Sequence, residues 1–194
     1  MNNVQTASSS DSAVSAVSRS GDAQVGVAGG GVFRMQCFDA AGNLKWEAEE
    51  QNLVVNVGLK DMNDKYFTGS SYTAAWYIGL YGAAGSNTPA AGDTMASHAG
   101  WTEVTDYSQA TRPAATFAAA TTADPSVITN AGSAATFSIN ATVTVGGAFL
   151  TSDNTKSGTS GILFSASAFA SPGDRNVVSG DTLTVTYTFS LDAA

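Results

Sequence analysis

The residues whose types and spacing could do chemistry lie close together in the chain. Within "DTMASHAGWTEV", residues 93–104, stand Asp93, Ser97 and His98, the only histidine. Ser97 and His98, with Asp93 or Asp106 as the acid, are the parts of a nucleophilic hydrolase, in which the base takes the proton of the hydroxyl and the acid orients the base. Spacing argues against that use. Ser97 and His98 are adjacent, and in an extended chain neighbouring side chains point to opposite faces. The sharp turn that presents a nucleophilic serine, G-x-S-x-G, does not occur.

The same stretch reads more simply as a buried corner. Asp93 or Thr94 can cap a single helical turn, "TMAS". His98 can then bond a nearby carbonyl or acid, and Trp101 can fill the core. Arg112, one of four arginines, follows in "TDYSQATRP". A buried guanidinium among so few charges needs a carboxylate, and Glu103 and Asp106 are the candidates. The residues assigned to this corner are Asp93, His98, Trp101, Glu103 and Arg112. None is assigned a catalytic role.

Metal and cofactor signals are weak. One His, one Cys and no clustered acids give no zinc spacing. Asp93, Asp153, Asp174 and Asp181 sit in or beside Gly-rich or Asn-rich loops, without the D-x-D-x-D-G pattern of a calcium loop. "VAGGGV" lacks the lysine and spacing of a phosphate loop and reads as a hinge. Cys37 alternates with Phe33 and Met35, as a small buried hydrophobe does. No cofactor is expected.

The elements that must position the corner are mostly strands. "VFRMQCFDAAGNLKWEAEEQ" reads as two strands around a turn supplied by Asp39, Gly42 and Asn43. "NVGLKDMNDKYF" is the one helix, with Asn56 as its cap and Leu59, Met62 and Tyr66 as its apolar face. "AAWYIGLYG" is a continuous apolar run of strand length. "ATFSINATVTV" and "DTLTVTYTFSL" alternate strictly between apolar residues and Thr, Ser or Asn, which marks half-buried antiparallel strands. "GILFSASAFAS" lies between them. The fold class expected is all-β, an antiparallel β-sandwich or jelly-roll-like domain over residues 31–194, with one short helix.

Residues 1–30 are low in complexity, made mostly of Ser, Ala, Val, Gly and Asp, and read as an extended N-terminal arm, flexible or bound to a partner. Its few apolar anchors, Val4, Val14, Val17 and Val25, are the candidates for partner contact.

Composition narrows the class of role. The chain has 194 residues and a net charge of −8, and only 12% of it is charged, about half the usual ~25%. Eight Lys and Arg, none adjacent, give no footprint for nucleic acid or for an anionic membrane surface. The N-terminus has no basic-then-apolar pattern of a secretory signal, and no segment reaches membrane-span length. Synthesis in a cytoplasm and release by lysis fit this expectation.

The order "NLVVNVGLKDMNDKYFTG", "WYIGLYG", "GDTMASHAGWTEVTDYSQATRPA" and "GILFSASAFASPGDRNVVSGDTLTVTYTFSL" resembles small structural proteins of tailed bacteriophages. The resemblance covers roughly residues 50–191 and leaves the arm outside. It implies a virion protein made in the host cytoplasm, of the head decoration or cement type, on the capsid exterior. It implies the major capsid protein as partner and a trimeric or dimeric homo-oligomer. The alternative it leaves open is a tail-fibre, adaptor or receptor-binding virion protein. It supplies no catalytic residues.

Overall fold

A computed structural model describes residues 27–71, 75–82, 88–170 and 173–193. Two antiparallel sheets pack face to face. The first has the order β2–β1–β11–β6, with β7 also on β11. It is built from β1 (Val27–Phe38), β2 (Leu44–Gln51), β6 (Ser126–Thr129), β7 (Ala135–Ser138) and β11 (Thr182–Ala193). The second has the order β3–β9–β8–β4–β5, with β10 on β8. It contains β3 (Leu53–Val54), β4 (Tyr77–Gly82), β5 (Glu103–Val104), β8 (Val143–Thr151), β9 (Leu163–Ala168) and β10 (Arg175–Val177). The expected all-β sandwich with one helix, α1 (Asn56–Phe67), is the fold of the described residues.

Period-two alternation makes the first sheet. Phe33, Met35 and Cys37 of β1 and Leu183, Val185, Tyr187 and Phe189 of β11 point inward and are buried. Ile78, Leu80, Ala148 and Leu150 from the second sheet meet them in one core. Thr182, Thr184, Thr186, Thr188 and Ser190 take the other face of β11, half-buried. The β1–β2 turn is closed by Asp39, whose Oδ1 accepts the Ala41 and Asn43 amides at 2.9 and 2.8 Å. Gly42 there adopts φ +85°, the left-handed conformation glycine tolerates best.

The second sheet is buried on both faces, which is why β4 reads as a continuous apolar run. Its outer face carries Tyr81, Phe149, Leu163 and Ala166, packed with Val55, Met95 and Trp101 into a second cluster. Two glycines make this possible. Gly79 lies opposite Phe149 and Gly147 opposite Tyr81 in the β4–β8 ladder. A Cβ on Gly79 would overlap the Phe149 ring, and one on Gly147 would overlap the Ser167 carbonyl and crowd the Tyr81 ring. The aromatic rings therefore lie across the strand positions the glycines vacate.

Five expectations change. "VAGGGV" is not a hinge: Val27–Gly31 belong to β1 and pair with Phe189–Ala193. The strand therefore begins at Val27, inside the range assigned to the arm. Glycine is needed at 31 because a Cβ would lie 2.7 Å from the Tyr187 hydroxyl and 2.8 Å from the Thr188 carbonyl. "ATFSINATVTV" is not one strand but two, β7 in the first sheet and β8 in the second. The alternation survives the crossing because both sheets face the same core. Asn56 does not cap α1: Val55 occupies that position and no side chain bonds there. Leu59 and Tyr66 are exposed rather than core-facing, and Gly58 is the buried residue. A Cβ on Gly58 would overlap the Phe164 carbonyl, so the absence of a side chain lets α1 press onto β9. Fifth, "TMAS" forms no helical turn: Thr94 and Ser97 exchange backbone hydrogen bonds at 2.9 and 3.2 Å around a tight two-residue turn.

Among the described residues no helix is long and apolar enough to cross a membrane. Val4, Val14, Val17 and Val25 lie outside the described residues.

Candidate functional site

The outer face of the second sheet supplies the platform for the corner. β5 extends the sheet beside β4, pairing Tyr81 with Glu103 and Leu80 with Val104. The Gly82 amide donates to the Thr102 carbonyl at 2.8 Å. This fixes Trp101 and Glu103 against the aromatic layer. Trp101 packs on Tyr81 and Phe149, with ring centroids 5.1 and 5.2 Å apart.

The tight turn before it is flanked by Asp93 and His98. Met95 at its tip is buried in the aromatic cluster. Asp93 Oδ2 accepts the Trp101 indole N–H at 3.2 Å and the Ala90 amide at 2.9 Å. His98 stacks on Trp101 with centroids 3.8 Å apart and planes inclined by 22°. Its Nδ1 lies 2.9 Å from the Trp101 carbonyl oxygen. A carbonyl only accepts, so Nδ1 carries the hydrogen.

Asp93 and His98 thus spend their hydrogen bonds on Trp101, from opposite ends of the residue. Neither bonds the other, so the acid–base relay considered for Asp93, Ser97 and His98 has no hydrogen-bonded path between these two. Among the described residues no three His, Cys, Asp or Glu side chains gather as a cation site.

Arg112 is the centre of the corner. The segment it begins runs beside β4, where the Ile78 amide donates to the Pro113 carbonyl and the Ala115 amide to Trp76. Its side chain is fully buried. Nε and Nη2 donate to the two Glu103 oxygens at 2.8 and 2.7 Å, the bidentate fork of a strong ion pair. Nη1 donates to the Asp153 carbonyl at 2.8 Å and Nη2 to the Gly158 carbonyl at 3.1 Å. The guanidinium also lies 5.3 Å from the Phe149 ring centroid. Of the two acids considered, Glu103 is the partner; Asp106 makes no ion pair with Arg112.

Those last bonds tie the β8–β9 loop, residues 152–162, to the corner. Glu103 Oε2 accepts the Ser157 amide at 2.6 Å, with Ser157 itself at φ +56°. Lys156 donates to the Tyr107 carbonyl at 2.7 Å and sits 3.7 Å from the Tyr107 ring centroid. Burial lowers the Lys156 pKa, partly offset by Glu103 and Asp106. One arginine, one glutamate and one lysine thus hold a long loop against the sheet edge.

Sequence reasoning missed this loop as part of the corner. Arg112 hydrogen-bonds it through backbone carbonyls, which leave no side-chain signature, and the Asp153 carboxylate, 3.7 Å from Nη1, adds a looser ion pair. The readable signal was indirect: a buried arginine has five donors and Glu103 can take only part of them. The loop borders a hollow half open to solvent, with His98, Thr102 and Thr159 at its rim and the buried Met95, Trp101 and Phe149 behind it.

Comparison of the chain with known proteins found no matching family model, no curated relative and no solved structure of matching fold.

Proposed function

We propose that this protein is a bacteriophage capsid decoration protein, which stabilises the head through non-covalent contacts with major capsid subunits. The reading rests on the sequence resemblance over residues 50–191. One structural observation supports it most directly. Tyr66 and Phe67, at the end of α1, are 83% and 76% exposed. They stack on each other edge to face at 4.8 Å, and Leu59 on the same helix is half exposed. The charges around them cancel within the helix, as Lys60 pairs with Asp64 and Lys65 with Asp61. An exposed aromatic pair whose charged neighbours pair with each other is compatible with an interface centre.

Cement of this kind works by number. Each contact is modest, and repetition over a shell raises the cost of opening it. The acidic chain is not attracted to packaged DNA, which favours an outer position. The N-terminal residues, with Val4, Val14, Val17 and Val25, add contacts along a neighbouring subunit.

The test is copy number per purified particle, by quantitative mass spectrometry against the major shell protein. Copies in the hundreds fit decoration. A dozen or so would move the protein to the tail or a fibre, and absence from particles would end the virion reading. A Tyr66→Ser, Phe67→Ser double variant is expected to lose particle binding with its melting temperature unchanged.

A further inference from the structure

Each sheet has two borders, and among the described residues three of the four are covered. Beside β6, the Ala118 and Thr121 amides donate to the Thr129 and Val127 carbonyls, both at 3.0 Å. Beside β9 lies β3, and the Val55 amide then closes on the Phe164 carbonyl at 3.1 Å. Beside β4 lie β5 and Pro113, whose carbonyl accepts the Ile78 amide at 2.9 Å. β10 adds only the short run Arg175–Val177 to the second sheet. β2 is the exception. It runs the full length of Leu44–Gln51 and pairs with β1 alone.

Alternation fixes which of its peptide groups face out. The Asn52 amide donates to the Gly31 carbonyl, so Gly31 turns its peptide groups toward the β2 side. Phe33, Met35 and Cys37 follow at every second residue, and their partners are Glu50, Ala48 and Trp46. Glu47 and Glu49 therefore aim both N–H and C=O away from the sheet, and no described backbone group outside β2 bonds them. Such a row is a template for one more strand.

We propose that this border docks one extended segment of a partner protein that carries Lys or Arg at every second position. The proposal does not depend on the capsid reading. Backbone hydrogen bonds supply the attraction, and the outer side chains choose the partner. Glu47 and Glu49 are both exposed. Arg34 meets the charge of Glu47 at 2.9 Å, whereas Glu49 makes no ion pair among the described residues. In a growing sheet the residues opposite them lie on the same face, where opposite charges stabilise and like charges destabilise. A basic strand meets that condition in a chain of net charge −8. A second copy does not. Two-fold pairing centred on Ala48 would set Glu47 against Glu49 twice, and pairing centred on either glutamate would set it against its own kind.

The experiment uses the full chain, ¹⁵N-labelled, and capped heptapeptides. The probe alternates lysine with threonine, which favours extended chain. A control carries glutamate in place of lysine. Two further forms of the probe are N-methylated, one at its inner lysines and one at its threonines. In a docked strand one of these amide sets faces β2 and the other faces solvent. Added to about 1 mM, the lysine peptide is expected to shift the Glu47 and Glu49 amide resonances saturably and to slow their hydrogen exchange. The glutamate peptide should do neither. One methylated form should bind about tenfold more weakly or worse, the worth of two net hydrogen bonds, while the other binds as before. Glu49→Pro removes an N–H that no strand uses and should abolish binding with the sheet intact. Glu49→Lys, an exposed change that leaves the backbone alone, should weaken it about fivefold. Three results would overturn the proposal. No saturable shift would mean that the border takes no such strand. An equal effect of the two methylations would mean attraction by charge alone. A dimer of the free chain that Glu49→Pro dissociates would give the border to a second copy.

Discussion

Removing Arg112 is the most informative perturbation of this molecule. In Arg112→Ala, Glu103 loses both guanidinium bonds while its side chain stays 7% exposed. The carbonyls of Asp153 and Gly158 lose their donors at the same time. Breaking one side of a buried ion pair costs about 3–5 kcal/mol, because a charge is left buried and unpaired. For a domain of this size that is a fall in melting temperature of roughly 6–20 °C. Urea unfolding followed by circular dichroism measures it. The companion variant Glu103→Gln, Arg112→Met separates the causes. Removing both charges takes away the buried unpaired carboxylate and leaves the lost loop contacts and the partly exposed Asp153 carboxylate, so its cost should be smaller than that of Arg112→Ala alone. If Arg112→Ala costs under ~1 kcal/mol, as surface ion pairs do, the loop is not held by this pair and the account of the corner is wrong.

Four further outcomes follow from particular contacts. Gly58→Ala, which on an exposed helix would add about 1 kcal/mol of stability, should instead destabilise by about 1–3 kcal/mol in urea unfolding, because its Cβ meets the Phe164 carbonyl. His98→Ala should cost about 1–2 kcal/mol through the lost stack and hydrogen bond, read by thermal melting. Burial pushes the Cys37 thiol up to about 11, with Asp181 adding to the effect, so Ellman's reagent at pH 8 should react only at the rate of unfolding. For Asp181, burial alone would raise the pKa, but the hydrogen bonds from Lys45 and the Val178 amide and the Lys45 charge hold it below the usual carboxylate range. Its stabilisation is therefore complete above the unfolded-state pKa and is lost as pH falls through the lower folded value. Asp181→Asn should flatten the acid limb of a pH–stability curve.

The strands were legible wherever one face was wet. β11 could be read residue by residue because threonine alternates with apolar residues along its length. α1 could be placed but not oriented, because its contact with β9 is made by Gly58, which contributes no hydrophobicity to a pattern. The crossing between β7 and β8 left no mark, since Phe137 and Val145 serve one core from two sheets. In the corner, charge scarcity showed that Arg112 needs a carboxylate but left Glu103 and Asp106 as equal candidates; the fold selects Glu103. The turn at Thr94–Ser97 was not, because Thr and Ser serve a tight turn and a helix cap through the same short hydrogen-bonding side chains. The 152–162 loop was hidden for a related reason: its hydrogen bonds from Arg112 go to peptide carbonyls, which every residue possesses.

The pairing of β1 with β11 also governs when the molecule can form. These two strands are the centre of the first sheet, and their register joins residues as distant as Val27 and Ala193. The buried residues of β1, Phe33, Met35 and Cys37, have no neighbouring β11 until nearly the whole domain has left the ribosome. Closing so large a loop is entropically slow, and the waiting strand offers an unpaired edge throughout. Folding is therefore a post-translational event with a window of exposure. In a cell where many copies are made together, that window is where β1 of one chain can meet β11 of another and the yield of native protein is decided.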